Sequence, residues 1–401
     1  MQTPVSLLSP LGYDKKICGY CKGASECCSY YAITQGLQPE FYQGLLDRGW
    51  RRSDQRQVVN RFNKYILGDI YIQKKPPDYI PDHGSKPRNV TRILIFWKEF
   101  TRAKKSKFKL LQTQLILLTV TLETDDFTEE KYALFANYQR TVHHQPPNRI
   151  SKHGFKNFLC SSSPLPRSTS SIDGKTKHIG SYHQCYRLDG KLIAIGVLDL
   201  LPQCVSAVYF MYHESVHSHA FGKLGALREI ALAKEQGYQY WYAGFYIHDC
   251  VKMRYKGDYS PQYILDPETY HWVLLDGALR AKLDERKFVS EKHDLESNTP
   301  SQDPDSKSKS KSESESESSA TKRIPIFERS MPGLLSAADL LTNSPLDKIK
   351  IRIGDTYHET NEFITWENQK VTDVGSLKGI ISELVSAVGS RLAGEMVVYL
   401  H

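Results

Sequence analysis

The chain has no run of apolar residues that reads as a membrane span. Its longest apolar-leaning stretch, Leu192–Tyr212, is interrupted by Asp199, Pro202 and Gln203, whereas a spanning helix needs about 20 consecutive apolar residues. It also lacks a nucleotide-activation motif: neither G-x-x-x-x-G-K-[ST] nor a G-x-G-x-x-G after a strand occurs. No ATP is therefore expected, and any group this protein transfers should arrive already activated. Met1–Gly12 has no basic opening and no long apolar core, so no secretory leader is expected. Eight cysteines without such a leader argue against a disulfide scaffold. They point to free thiols in a reducing compartment, the cytoplasm, with the nucleus as a second location.

What is present bounds the rest. A chain of 401 residues accommodates two or three domain-sized units and can bury a sizeable core. Lys and Arg outnumber Asp and Glu by 53 to 45, a net charge of +8 that suits a phosphate-bearing partner. The chain is expected to divide into a cysteine-rich unit over 14–75 and a divergent, basic connecting segment over 76–127. A central unit over 128–277 follows, then a Ser/Lys/Glu linker over 291–323 and an α/β tail over 324–401. The linker carries SKSKSKSESESESS with nothing apolar to bury, which predicts disorder. Helical spacing of Leu377, Ile380, Ile381, Leu384, Val385, Val388 and Leu392 predicts a helix over 376–393. The closing MVVYL should be a strand that adds to the sheet of the central unit, and the chain is expected to be a monomer.

Cys18, Cys21, Cys27 and Cys28 fall within eleven residues as C-x2-C-x5-C-C. Four thiolates so spaced can complete a tetrahedral zinc site or hold an iron–sulfur cluster, and the spacing does not choose between them.

The central unit carries the most specific pattern. Leu192–Leu200 is a buried-strand candidate, Pro202 and Gln203 turn it, and Val205–Tyr212 is its hairpin partner. Ser218 is a candidate cap for a helix through Leu232, with Leu224, Leu227, Ile230 and Ala231 on one face. An aromatic strand, Tyr238–Ile247, then returns. Hairpin, glycine-marked helix, strand is the order of the acetyltransferase-like (GNAT) fold, so an α+β class with a mixed sheet flanked by helices is expected. The phrases HQCYRLDGKLIAIGVLDLLP, ALREIA, AGFYIHDC and KMRYKGDYSPQYILDPETYHWV resemble the catalytic half of the eukaryotic arginyl-tRNA–protein transferases. EEKYALFANYQRTVHH, FKNFLC, CGYCKG and DRGWRRS extend the likeness over most of 14–275.

That resemblance implies transfer of arginine from Arg-tRNA to the α-amine of proteins beginning with Asp or Glu, which marks them for ubiquitin-dependent degradation. Two departures stand out. The family carries a second Cys-Cys pair, in a CCPxYTIR-like segment after GWRRS, whereas here Ser53 runs straight into DQRQVVNRFNKYI. HESVHSHAF also replaces a DPDY-like phrase. A coenzyme A-dependent acetyltransferase on the same fold and a non-catalytic regulatory form are the alternative readings.

The chemistry asks for three things. The arginyl guanidinium wants a carboxylate, and Asp199 ends the central strand. The acidic acceptor wants cations, for which Lys252, Arg254 and Lys256 lie beyond the aromatic strand, and Lys223 and Arg228 lie on the helix. The tRNA end wants phosphate contacts from Gly222 and Gly225 and stacking walls from Tyr242, Phe245 and Tyr246. His248 beside Asp249 is the acid–base candidate.

Overall fold

A computed structural model describes residues 5–17, 26–53, 58–62, 117–160, 165–172, 175–286, 288–292, 324–329 and 331–400. Most of the 76–127 segment and almost all of the 291–323 linker fall outside the described residues.

The N-terminal part is strand-rich. β1 (Ser6–Ile17) and β2 (Glu26–Gly36) pair antiparallel, helix α1 (Pro39–Leu46) follows, then β3 (Trp50–Ser53) and β4 (Val58–Phe62). Pro39 opens α1 at a position where the backbone N–H has no helical partner to lose. The central part runs β5 (Leu118–Thr124), α2 (Glu129–Thr141) and α3 (Lys152–Leu159). It continues through β6 (Ser168–Ile172), β7 (Lys175–Leu188), β8 (Lys191–Leu200), β9 (Cys204–Tyr212), α4 (Phe221–Gln236) and β10 (Tyr240–Tyr242). The hydroxyl of Thr128 caps α2 by accepting from the Lys131 N–H. β11 (Tyr263–Leu265) and β12 (Trp272–Leu274) form a small separate hairpin, and β13 (Lys350–Ile353), β14 (Thr356–Glu359) and β15 (Met396–Tyr399) complete the strands.

Two larger sheets organise the chain. One is six-stranded, ordered β10-β9-β8-β7-β5, with β6 paired to β7; β9 and β10 are parallel, joined through α4, and the other pairs are antiparallel. The other is seven-stranded, ordered β14-β13-β15-β1-β2-β4-β3. Both parallel and antiparallel pairs occur, so the fold is a mixed α/β arrangement of the α+β kind. No helix among the described residues is long and apolar enough to cross a membrane.

Several local expectations change. The tail strand does not extend the central sheet: β15 inserts between β1 and β13, parallel to both. Met396 and Val398 of β15 are buried with Leu8, Trp50, Leu384 and Val388 in one core, which favours the N-terminal sheet. Leu201, Cys204 and Tyr242 join that same core, so the two sheets share it. β6 lies in a Ser/Thr-rich segment and pairs antiparallel with β7, off the main path of the sheet. The tail helix ends at Val388, and Gly389 at φ 88 separates it from a short helix over Ser390–Ala393.

The helix after the hairpin also differs. Ser218 does not cap it but sits in a 3-10 turn over Glu214–His219; α4 starts at Phe221, after Ala220 in the left-handed region at φ 52. Its fully buried side is Gly225, Ala226, Glu229, Leu232 and Ala233, offset from the predicted face. The aromatic strand is only three residues long. β10 pairs with Cys204–Ser206 and stops, although β9 continues to Tyr212. Gly244, at φ 79, takes the chain away from β9 in a conformation that favours glycine. The two parallel strands thus part and leave a wedge.

Candidate active site

The wedge between β9 and β10 is bordered by buried ionisable groups that form no ion pair among the described residues. Glu229 comes from α4, where it occupies the buried stripe one turn after Gly225. It is 3% exposed, and its Oε2 accepts a 2.8 Å hydrogen bond from the Trp241 indole N–H on β10. A Cβ on Gly196 of β8 would stand 3.1 Å from its Oε1, so the absence of a side chain there makes room for the carboxylate. Burial pushes the Glu229 carboxyl up to about 7, against the opposing pull of the Trp241 hydrogen bond and the Lys256 charge.

Lys256 arrives from the far side, past the end of β10. Its Nζ donates to the Phe245 carbonyl at 2.9 Å, and a Cβ on Gly244 would lie 3.4 Å from it. Burial, together with the like charge of Arg51, lowers the Lys256 ammonium to about 8. Tyr259 packs edge-on against Trp241, ring centroids 5.3 Å apart, and its buried hydroxyl finds no partner among the described residues. A carboxylate, an ammonium and a hydroxyl unpartnered among the described residues therefore lie around Trp241 and Phe245 at the end of β10, without an ion pair between them. Such an arrangement can exchange a proton near neutral pH and hold an anion beside it.

The other predicted residues are placed as follows. Asp199 is fully buried and already occupied: it pairs with Arg52 Nη1 at 2.9 Å and accepts from the hydroxyls of Ser181 and Tyr42. Its guanidinium partner is the chain's own Arg52, so the proposed arginyl-binding carboxylate is instead a clasp between the N-terminal sheet and β8. Tyr242 turns its hydroxyl to Asp47 of the N-terminal part at 2.6 Å and packs on Trp272 at 4.9 Å. His248 does not team with Asp249, which is exposed; its Nε2 lies 3.0 Å from Asp284 and its Nδ1 2.8 Å from the Tyr246 hydroxyl. Arg254 Nε donates to the His248 carbonyl at 2.6 Å, so Tyr246, His248 and Arg254 form one cluster.

On α4 the picture divides. Gly222 is exposed at the first turn with open space around it. Gly225 is not a phosphate contact: a Cβ there would meet the Phe210 ring at 2.2 Å, so the glycine permits α4 to press onto β9. Arg228 is held by a two-point pair to Glu235, at 2.8 and 2.9 Å, on the outer side of the helix, and Lys223 is exposed. The Lys252 side chain lies outside the described residues. So do Cys18 and Cys21, but the ladder around them is informative. Ile17 pairs with Glu26, Lys16 with Cys27 and Lys15 with Cys28, which brings the ends of the 18–25 connection together at the start of β2.

Sequence reasoning missed Glu229, Arg51 and Arg52. For Glu229 the signal was available: a carboxylate on the apolar stripe Gly225, Leu232, Ala233 is costly to bury unless it has a partner or a use. For Arg51 and Arg52 the phrase DRGWRRS carried no hint of where each guanidinium would point.

Similarity to known proteins bears on this arrangement. Residues 130–266 match the family described as arginine-tRNA-protein transferase, C terminus, and residues 16–57 match its N terminus. The chain is 43% identical over 416 aligned positions to arginyl-tRNA–protein transferase 1 of Drosophila melanogaster, covering 71% of this chain and 85% of that protein. It is 39% identical over 155 positions to the Saccharomyces cerevisiae protein of the same name, covering 35% of this chain and 30% of the relative. It is 26% identical over 269 positions to an aspartate/glutamate leucyltransferase of Helicobacter hepaticus, covering 66% of this chain and 97% of that protein. The wedge lies inside the C-terminal match and Arg51 and Arg52 lie inside the N-terminal one. The coenzyme A reading gives way accordingly: the chain belongs to the arginyl-tRNA–protein transferase family and is an aminoacyl-tRNA transferase.

Proposed function

We propose that this protein moves arginine from Arg-tRNA onto the α-amine of proteins that begin with Asp or Glu, and so marks them for degradation. The observation that carries the reading is Glu229, a buried carboxyl at the β9/β10 wedge that feels the charge of Lys256 without an ion pair to it. An α-ammonium has a pKa of about 7.7–8.0 and must lose a proton before it attacks. Glu229, with its carboxyl near 7, accepts that proton. The amine nitrogen then forms a bond to the arginyl ester carbon and gives up a second proton, the ester C–O bond breaks, the departing ribose oxygen takes up one proton, and the other is released to solvent. Lys256 faces the acceptor's acidic side chain. The hairpin–helix–strand order and the parting of β9 from β10 support a GNAT-like frame. The exposed first turn of α4, at Gly222 and Lys223, suits the phosphates of the tRNA end. The name of the Helicobacter relative, an aspartate/glutamate leucyltransferase, supports acidic acceptors.

Labelled Arg-tRNA and peptides differing only in residue one test the acceptor rule. Asp and Glu starters should be labelled at least tenfold faster than Asn or Ala starters, because leaving a buried cation unpaired costs about 1–3 kcal/mol. Lys256→Gln should narrow that gap. Equal labelling of Asp and Asn starters by the parent protein would remove the pocket.

The cysteine cluster belongs to a separate proposal: Cys18, Cys21, Cys27 and Cys28 together hold zinc or an iron–sulfur cluster. Its support is the C-x2-C-x5-C-C spacing. Protein purified without oxygen should contain stoichiometric zinc, or iron with sulfide. Protein containing none of these would end the proposal.

A further inference from the structure

We infer that Arg51, carried by the N-terminal sheet, joins Lys256 in a two-cation pocket that grips the carboxylate of the acceptor's first side chain. The inference deepens the acceptor rule proposed above and rests on it. β3 lies at the end of the seven-stranded sheet, so Arg51 reaches the wedge from a different part of the fold. Two bonds fix its guanidinium: Nη1 donates to the Leu46 carbonyl at 2.8 Å and to the Trp50 carbonyl at 2.7 Å. The guanidinium carbon then stands 5.6 Å from the centre of the Phe245 ring, the residue whose carbonyl receives Lys256. Two cations flank one residue.

Neither forms an ion pair among the described residues. Among the described residues, neither Arg51 nor Lys256 has a carboxylate within 4.0 Å, and Arg51 Nε is buried without a partner. The carboxylates whose charges reach them, Asp47 and Glu229, lie beyond ion-pair distance and hold neutral donors. Asp47 accepts from the Tyr242 hydroxyl and Glu229 from the Trp241 indole. Like charges brought together out of water disfavour one another, and a bound carboxylate relieves both. Arg52, the neighbouring residue, shows the alternative: it has its own buried carboxylate in Asp199. The remaining contender for the pocket is a tRNA phosphate, which offers the same anionic chemistry.

Full-length Arg51→Met and the parent protein are compared on Asp- and Asn-starting peptides, with Arg-tRNA varied. The expected result is a rise of tenfold or more in KM for the Asp starter, an unchanged KM for the Asn starter and an unchanged KM for Arg-tRNA. Removing the Arg51 charge should also move the loss of Asp-peptide affinity, which sets in as pH rises through about 8, to higher pH. Arginine-selective labelling of the parent, mapped by mass spectrometry, serves as a check that needs no variant. The Asp starter should protect Arg51 and the Asn starter should not. Full discrimination retained in Arg51→Met, or no protection of Arg51, would overturn the inference while leaving the acceptor rule intact. A KM effect on Arg-tRNA shared by every peptide would assign Arg51 to phosphate and overturn it as well. A parent protein that labels both starters equally would bring down the acceptor rule, and the inference with it.

Discussion

Glu229→Gln is expected to lower kcat for arginine transfer by about 10²–10⁴-fold, the range a positioned general base contributes, while leaving KM for Arg-tRNA near its parent value. The pH profile separates this role from a structural one. Only the ionised carboxylate accepts a proton, so the parent's kcat should decline as pH falls below about 7. The Gln variant has no such group, so its residual rate should follow only the acceptor α-amine's own titration, at about 7.7–8.0. Stability should move in the opposite sense. Burial raises the folded carboxyl above its unfolded value, so the fold favours the neutral form. Its contribution is therefore full below about pH 4.5 and is lost as pH rises towards about 7. Gln, neutral at every pH, should abolish that slope and fold at least as well near pH 7. A variant that retains a third or more of the parent's kcat would leave Glu229 without a catalytic role.

The second large effect is expected at the clasp between the sheets. Arg52→Met leaves Asp199 fully buried with its cation removed, and breaking a buried pair in this way costs about 3–5 kcal/mol. Ser181 and Tyr42 would still donate to the carboxylate, but hydroxyl bonds do not replace a charge. Arg52 Nη2 also donates to the Phe158 carbonyl at 2.6 Å, so the same change frees the end of α3 from β3. Removing both partners, as Arg52→Met with Asp199→Asn, should restore part of the loss because no unpaired charge remains. Denaturant unfolding of the parent, the single and the double variant measures both steps. A single variant within about 1 kcal/mol of the parent would mean that the pair is not what holds the two parts together.

The clasp also shows where sequence reading ran out. Asp199 looked available because it ends an apolar strand at a turn, the position from which carboxylates often face a cleft. That reading lacked its partner. Arg52 lies on β3, far away in the chain, and only the shared core of the two sheets brings it within 2.9 Å. His248 was similarly read with its neighbour Asp249, whereas its ring lies against Asp284, on the helix over Gly277–Glu285. Sequence adjacency is a poor guide to pairing in a turn, where consecutive side chains diverge.

The sequence by itself determined the family, the β8–β9 hairpin and the helix that follows. Each rests on local signals: a largely apolar strand, a Pro-Gln turn, a run of helix-forming residues and phrases long enough to be specific. Local signals suffice there because strand and helix periodicity are properties of a few consecutive residues. Tertiary structure alone decided that β10 ends at Tyr242, that the tail strand enters the N-terminal sheet, and that Glu229, Lys256 and Arg51 converge at one wedge. Those outcomes depend on which buried faces find one another and which charges are left without an ion pair when they do. Burial and charge balance of that kind are set by contacts between distant segments, and no window along the chain contains them.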